Sequence, residues 1–577
     1  MSVALAFGDA SSDVASRIAV LEREGFARRL WSKDATLWSA DPKHQAVASN
    51  RLGWLDVASR MRAETETLRR FAAEVVRDGF THAVLLGMGG SSLAPEVMRQ
   101  TLGRAPGALA LTVLDSTSPA SVRAVASSHD PEHTLFLVSS KSGGTLEVVS
   151  LEAYFHDWVA AARGAGAGRA FVAITDPGTS LERLAQSRGY RHTFTNPPDI
   201  GGRYSALSYF GLVPAALIGA DLDAMLDAAA REAKRCGPDA RATENPALVL
   251  GAALGELARH GRDKLTLVLG PEIAALGLWI EQLIAESTGK LGRGIVPIAG
   301  EPLGPPEAYG PDRVFVAISI APLAADTLQA LDALGRAGHP VLRWSDPSLA
   351  ELGAEFLGWE IATAVASAVL EVDAFDEPNV TEAKEATQAV LADFLANGRF
   401  PAPASPTSAG DVRVECPRAM GEILRGHIVS AEDPTAWPAA LASLAKPGDY
   451  FAILAYLHAT PERDHALERL RLAARGATRL ATTVGYGPRF LHSTGQLHKG
   501  GPNLGIFLQL VADEGDELPI PGAPYGFRTL IAAQSLGDYQ VLERRQRRVM
   551  RVHLGANPDR VLDEIAAALR AARAQAA

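Results

Sequence analysis

The sequence predicts an α/β protein built from doubly wound parallel sheets, two of them in succession and then a third C-terminal α/β region. Three observations carry this. Residues 83–86, 111–114, 135–138 and 171–174 are apolar runs short enough for buried strands, each followed by Gly, Ser, Thr or Asp. Stretches of helical apolar spacing lie between them, and such alternation marks parallel crossover units. The pattern restarts at Lys264, and again beyond a stretch rich in Pro, Ser and Ala at 399–411. The expected organisation is a helical segment over 1–78, a first sheet domain over 79–235, a second over 236–398, a linker over 399–411 and a C-terminal α/β domain over 412–577.

Bulk properties narrow the function. A chain of 577 residues exceeds a single core. Its net charge of −10 argues against a nucleic-acid partner, which would need a basic face. Cys236 and Cys416 stand too far apart for a disulfide framework or a CxxC metal site, which fits a reducing compartment. The first residues lack the basic start and apolar core of a signal peptide. No apolar run, with 361–370 among the longest, approaches the roughly 18 residues of a membrane span. A soluble cytoplasmic protein with no membrane partner is expected.

Taken in order, the strand ends carry the chemistry. After 83–86 come Gly87, Met88, Gly89, Gly90, Ser91 and Ser92. A dinucleotide fingerprint would need glycine where Ser92 stands, and Asp115 falls late for its acidic partner. After 135–138 come Ser139, Ser140, Lys141, Ser142, Gly143, Gly144 and Thr145, opening a helical stretch. Hydroxyls, glycines and a lysine at a helix start suit a phosphate. An N-capped crossover would read the same way, and the loop is not a Walker A sequence. In a doubly wound sheet both loops fall at one edge, outside the carboxyl ends of the strands. Gly201, Gly202 and Arg203 then place an arginine fork in a glycine turn, suited to an anion or simply to a surface turn. In the second unit, Gln282 and Glu286 share one face of a predicted helix, which ends at Ser287, Thr288, Gly289 and Lys290. Glu286 could serve as a general base, although taken alone it reads more readily as a solvated glutamate. In the third region His492, His498 and Lys499 cluster among glycines, but two histidines six apart without a carboxylate or thiol make a poor metal set.

Together these motifs resemble phosphoglucose isomerase, built from two sugar-isomerase (SIS) domains. The resemblance covers about residues 45–395, with a looser match beyond. It is greatest to the long form that some bacteria fuse behind a transaldolase, of which this sequence holds the isomerase part. The family's phosphate loop SKTxTTxET stands here as Ser140, Lys141, Ser142, Gly143, Gly144, Thr145, Leu146, Glu147. Ser140, Lys141, Ser142 and Thr145 thereby inherit phosphate binding. GIGGSxLGP appears as GMGGSSLAP, giving Gly90 and Ser91 as sugar contacts. The GGR loop gives Arg203, which stabilises the charged intermediate, and ESNGK gives the base Glu286, with Gln282 one turn earlier. FDQWGVELGK matches 375–384, so Lys384 assists ring opening, although Glu377 replaces a glutamine and Pro378 a tryptophan. The family's ring-opening histidine, in GQHSF, has no counterpart between Glu286 and Lys384. The string from Thr494 to His498 carries that role to His498, provided the third domain folds back over the cleft.

The resemblance implies reversible aldose–ketose isomerisation of glucose 6-phosphate and fructose 6-phosphate through a cis-enediol, in glycolysis and gluconeogenesis. No metal or other cofactor is implied; a homodimer is, and a transaldolase partner belongs to the fused relatives. Two alternatives remain at this point: an isomerase of another hexose phosphate, and a non-catalytic SIS protein that senses a sugar phosphate. The sensor would need the phosphate loop but not Glu286, Arg203 and Lys384 together.

Overall fold

The computed structural model describes residues 2–401, 407–428, 430–513 and 515–576. The chain opens with strand β1 (Ser2–Ala6) and continues as helices to Arg77. Five strands follow: β2 (His82–Gly87), β3 (Ala110–Leu114), β4 (Thr134–Ser139), β5 (Phe171–Thr175) and β6 (His192–Thr195). They form a wholly parallel sheet in the order β3-β2-β4-β5-β6. β4 and β5 are buried at every residue, as expected of strands covered by helices on both faces.

The second sheet contains β7 (Lys264–Leu269), β8 (Val296–Ile298), β9 (Arg313–Ser319) and β10 (Val341–Ser345), ordered β1-β10-β9-β7-β8. The N-terminal segment, expected to be helical throughout, thus begins with a strand that completes this sheet antiparallel to β10. Of the proline-rich 399–411 stretch, residues 402–406 lie outside the described residues. Beyond it come β11 (Thr407–Ala409), β12 (Val412–Glu415), β13 (Tyr450–Tyr456), β14 (Ala481–Tyr486), β15 (Gly505–Val511) and β16 (Arg548–His553). Their order is β11-β12-β16-β15-β13-β14, with β13 to β16 parallel.

Each sheet turns back on itself after its second crossover. β2 is flanked by β3 and β4, β7 by β8 and β9, and β13 by β14 and β15. The carboxyl ends of such strand pairs form a crevice where α/β sheets receive ligands. Helix Leu352–Val369 lies between the first two units and is almost entirely buried. The segment Leu349–Val369 is long and apolar enough to cross a bilayer, but it is mostly buried inside the protein, as in a core helix.

Candidate active site

The crevice of the first sheet lies between the ends of β2 and β4. After β2 the chain makes a tight turn at Gly89–Ser91. The backbone here is pressed against the arginine loop: a Cβ on Gly90 would lie 2.1 Å from the Gly202 carbonyl oxygen. Ser139 donates to the Ser91 carbonyl at 3.1 Å, tying the β2 and β4 loops together. In the second loop Ser140 and Thr145 pair hydroxyl to hydroxyl at 3.0 Å, and the Gly143 N–H donates to the Ser140 hydroxyl at 3.1 Å. Gly143 has φ +70°, and a side chain there would strike Thr179 and Leu181. Thr145 precedes the 18-residue helix Leu146–Arg163, whose free first-turn N–H groups are suited to an anion at the loop. Lys141 turns to Asp176, with which it forms an ion pair, and to the Pro198 carbonyl at 3.4 Å. Burial lowers its pKa despite that partner.

The second sheet contributes helix Leu276–Thr288, a hydrophobic rod with Glu286 in its last turn. Glu286 is 7% exposed, and its carboxylate faces the Arg203 guanidinium at 3.8 Å. Burial raises the Glu286 pKa; Arg203 opposes that and Glu377 adds to it. Arg203 is itself buried, yet Glu286 and Glu377 hold its pKa above the ordinary value. It is anchored by Ser287 at 2.8 Å and by the Ala374 and Asp376 carbonyls at 2.6 and 3.0 Å. Lys290 holds the same loop through the Asp376 carboxylate at 2.7 Å. Glu377 reaches Arg203 at 3.1 Å from a side chain nearly half exposed.

The third region folds back over this cleft. Its short helix Gly495–Gly500 docks on the end of the Glu286 helix, where Gln496 donates to the Gly289 carbonyl at 3.0 Å. The turn Arg489–His492 drops His492 between the two halves. Gln282 donates to Glu286 at 3.1 Å and to the His492 carbonyl at 2.8 Å. The His492 Nε2 meets Glu147 at 2.9 Å, and Gln534 donates to the same Glu147 oxygen at 2.8 Å. Burial alone would raise the Glu147 pKa, but His492 outweighs it and the net direction is down. An ionised Glu147 can only accept, so Nε2 is the donor in that contact.

The structure therefore gathers Arg203, Gln282 and Glu286 on one side, with Ser140, Ser142, Thr145 and Lys384 on the other. Ser142, Thr145, Glu147, Lys384 and His492 line one small cavity of about 90 Å³. His498 is not among them. It is 3% exposed and packs against Tyr450, Phe490 and Phe507 at ring distances of 5.1 to 6.3 Å. That apolar setting drives its pKa well below the ordinary value. The sequence string singled out His498, whereas the fold brings His492 to the cleft. Glu147 was legible only as the last residue of the phosphate-loop match.

Among the described residues one group has metal-like spacing: His44, Asp373 and Asp376, with ligand atoms within 4.8 Å. Lys290 already compensates Asp376, so this group works as part of the loop anchor.

Fold and site define an α/β protein whose hydroxyl-rich loop suits an anionic small molecule and lies beside a shielded carboxylate, an arginine and a carboxylate-bound histidine. Residues 52–292 match the family model described as phosphoglucose isomerase. A glucose-6-phosphate isomerase of Rubrobacter xylanophilus is 30% identical over 380 residues, spanning 57% of this chain and 87% of the relative. One from Thermus thermophilus is 30% identical over 390 residues, spanning 59% and 90%. Among solved structures, a hypothetical protein from Thermus thermophilus aligns with a TM-score of 0.58 at 26% identity, covering 68% of this chain and 100% of that one. A glucose-6-phosphate isomerase from Chlamydia trachomatis shares the fold, with a TM-score of 0.50 at 20% identity, covering 65% and 79%. The chain belongs to the phosphoglucose isomerase family.

Proposed function

We propose that this chain interconverts glucose 6-phosphate and fructose 6-phosphate as an aldose–ketose isomerase, with Glu286 as the base. The observation that carries the reading is the buried Glu286 carboxylate, aimed at Arg203 and joined through Gln282 to His492. Moving a proton between C2 and C1 of an open-chain sugar needs one group that accepts it and returns it. A carboxylate of raised pKa, shielded from water, suits that task. The cis-enediolate formed between the two transfers carries negative charge on its oxygens, and the Arg203 guanidinium is fixed in place to meet it.

The substrate arrives as a closed ring, so a second acid–base set must open it. His492, polarised by Glu147, moves the proton between the ring oxygen and the C1 hydroxyl, with Lys384 at the same cavity. Ser140, Ser142 and Thr145 hold the phosphate at the helix start, and Gly90 and Ser91 line the sugar. Binding energy at this non-reacting end orients the carbons over Glu286. Lys141 acts beside the phosphate as a shared partner with Asp176. The working form we infer is a cytoplasmic enzyme of glycolysis and gluconeogenesis, a homodimer like others of its family, acting without a metal. Its two buried, unpaired cysteines suit a reducing compartment.

The test is a coupled assay converting fructose 6-phosphate to glucose 6-phosphate, with Glu286→Gln beside the wild type. Turnover only in the wild type is expected. Binding without turnover in both would favour the sensor reading.

A further inference from the structure

The third sheet has the same crevice as the first, and it is not part of the active site. At the carboxyl ends of β13 and β15, where the strand order reverses, lies a cavity of about 760 Å³. That is within the range of small-molecule sites, about 300–1,000 Å³. Tyr456 and Val511 line it from these two strand ends, Arg551 and His553 from β16, and Ser535 and Tyr539 from helix Phe527–Arg544.

Its inner end is locally positive, with two guanidinium groups and an imidazole around one carboxylate. One buried carboxylate, Glu415, is shared by three basic side chains: His553 at 2.6 Å, Arg413 at 3.4 Å and Arg551 at 3.6 Å. The acids at the mouth are engaged elsewhere. Asp513 pairs with Arg528 at 3.3 Å, and Glu517 caps the helix through the Arg528 and Thr529 N–H groups at 2.8 and 3.2 Å. Glu543 is exposed at the far rim. Arg551 is 6% exposed and donates to Ser535 at 3.0 Å, but its Nε–H has no partner. A buried guanidinium N–H without an acceptor is costly, and an oxyanion toward which Arg551 turned from the cavity wall would remove that cost. Tyr539, Ile531, Leu536 and Phe394 supply apolar walls for the rest of a ligand.

We propose that this cavity is a second, non-catalytic site for a small organic oxyanion, a carboxylate or phosphate monoester with an apolar body, and that its occupancy is felt at the catalytic histidine. The coupling runs through one helix. Ser535 receives the Arg551 hydrogen bond, while its neighbour Gln534 donates to Glu147. A ligand that redirects Arg551 therefore acts one residue away from the group that orients His492. This second half rests on the proposed isomerase reading; the binding half does not.

The experiment is calorimetric titration of the full chain with citrate, inorganic phosphate and adenosine 5′-monophosphate, each with and without saturating fructose 6-phosphate. At least one probe should bind with 1:1 stoichiometry in both conditions. Its affinity should fall about 10-fold or more in Arg551→Gln, as for loss of a charged hydrogen bond. Arg413→Gln, altering a half-exposed side chain, should weaken it too and guards against misfolding of the first variant. The preferred probe separates a carboxylate ligand from a phosphate one. Failure of all three to bind, displacement by fructose 6-phosphate, or affinity unchanged from the wild type in both variants would overturn the site. Binding that leaves isomerase turnover unchanged would overturn the coupling.

Discussion

The first and second sheets share a reversal of strand order but use it differently. In the first, the loops at the reversal are rich in hydroxyls and glycines, which suits the crevice itself to a ligand. In the second, the buried Glu286 lies elsewhere, in the last turn of the helix that follows β7, and its carboxylate is carried to Arg203 at the first sheet's edge. On the proposed reading, one half supplies binding and the other chemistry. A repeated architecture need not put function at the repeated place. Hydroxyls and a helix start recognise a phosphate that does not react, and they must be open to it. A base must be dry, and the C-terminal turn of a buried helix is drier than a sheet edge.

Variants can break this division. The largest effect is expected for Glu286→Gln, with kcat reduced by at least about 10³-fold while KM changes little. A comparable rise in KM would mean that Glu286 also holds substrate in its ground state. His492→Ala should lower turnover by about 10²-fold on cyclic fructose 6-phosphate and far less on a short acyclic aldose phosphate. His498→Leu, which keeps an apolar group among the three aromatic rings, should do neither; equal losses for the two histidines would reject the distinction between them. Thr145→Ala should act in the opposite sense to Glu286→Gln, raising KM about 10-fold with kcat nearly kept.

The smallest effect is on pH. Glu286 must be ionised to accept a proton, so activity is lost as pH falls through its raised pKa. Glu377→Gln removes a nearby negative charge that raises that pKa and frees Arg203 to favour the carboxylate. The acid limb of kcat/KM should therefore move to lower pH, by less than about one unit. A shift to higher pH would show that Glu377 acts through loop geometry instead of charge.

What could be read beforehand followed from local pattern. Apolar runs such as 135–138 announce buried strands, and Ser140 to Thr145 announce a hydroxyl-rich loop opening a helix, because both signals lie within a few residues. β6, with a mixed burial pattern, and β8, three residues with a central proline, carry too little pattern to be seen. β1 depends on pairing with residues 341–345, far away in sequence. The histidines fail for a different reason. His498 sits in the string that most resembles a motif, but the short helix carrying it turns that side chain inward against Tyr450, while the preceding turn brings His492 to the cleft. A one-dimensional spacing does not encode which side of a six-residue helix meets the neighbouring domain.

The contact between Gly90 and Gly202 has a consequence for how such a site can change over time. Two loops distant in sequence meet backbone to backbone, so position 90 cannot accept even a methyl group while the arginine loop stays where it is. A compensating second substitution is no remedy, because the obstacle to a Gly90 side chain is a carbonyl that every amino acid carries. The sugar-facing loop and the arginine loop are therefore inherited as one unit: drift can alter Gly144, Glu377 or Pro378 one at a time, but this seam only by rebuilding both of its sides together.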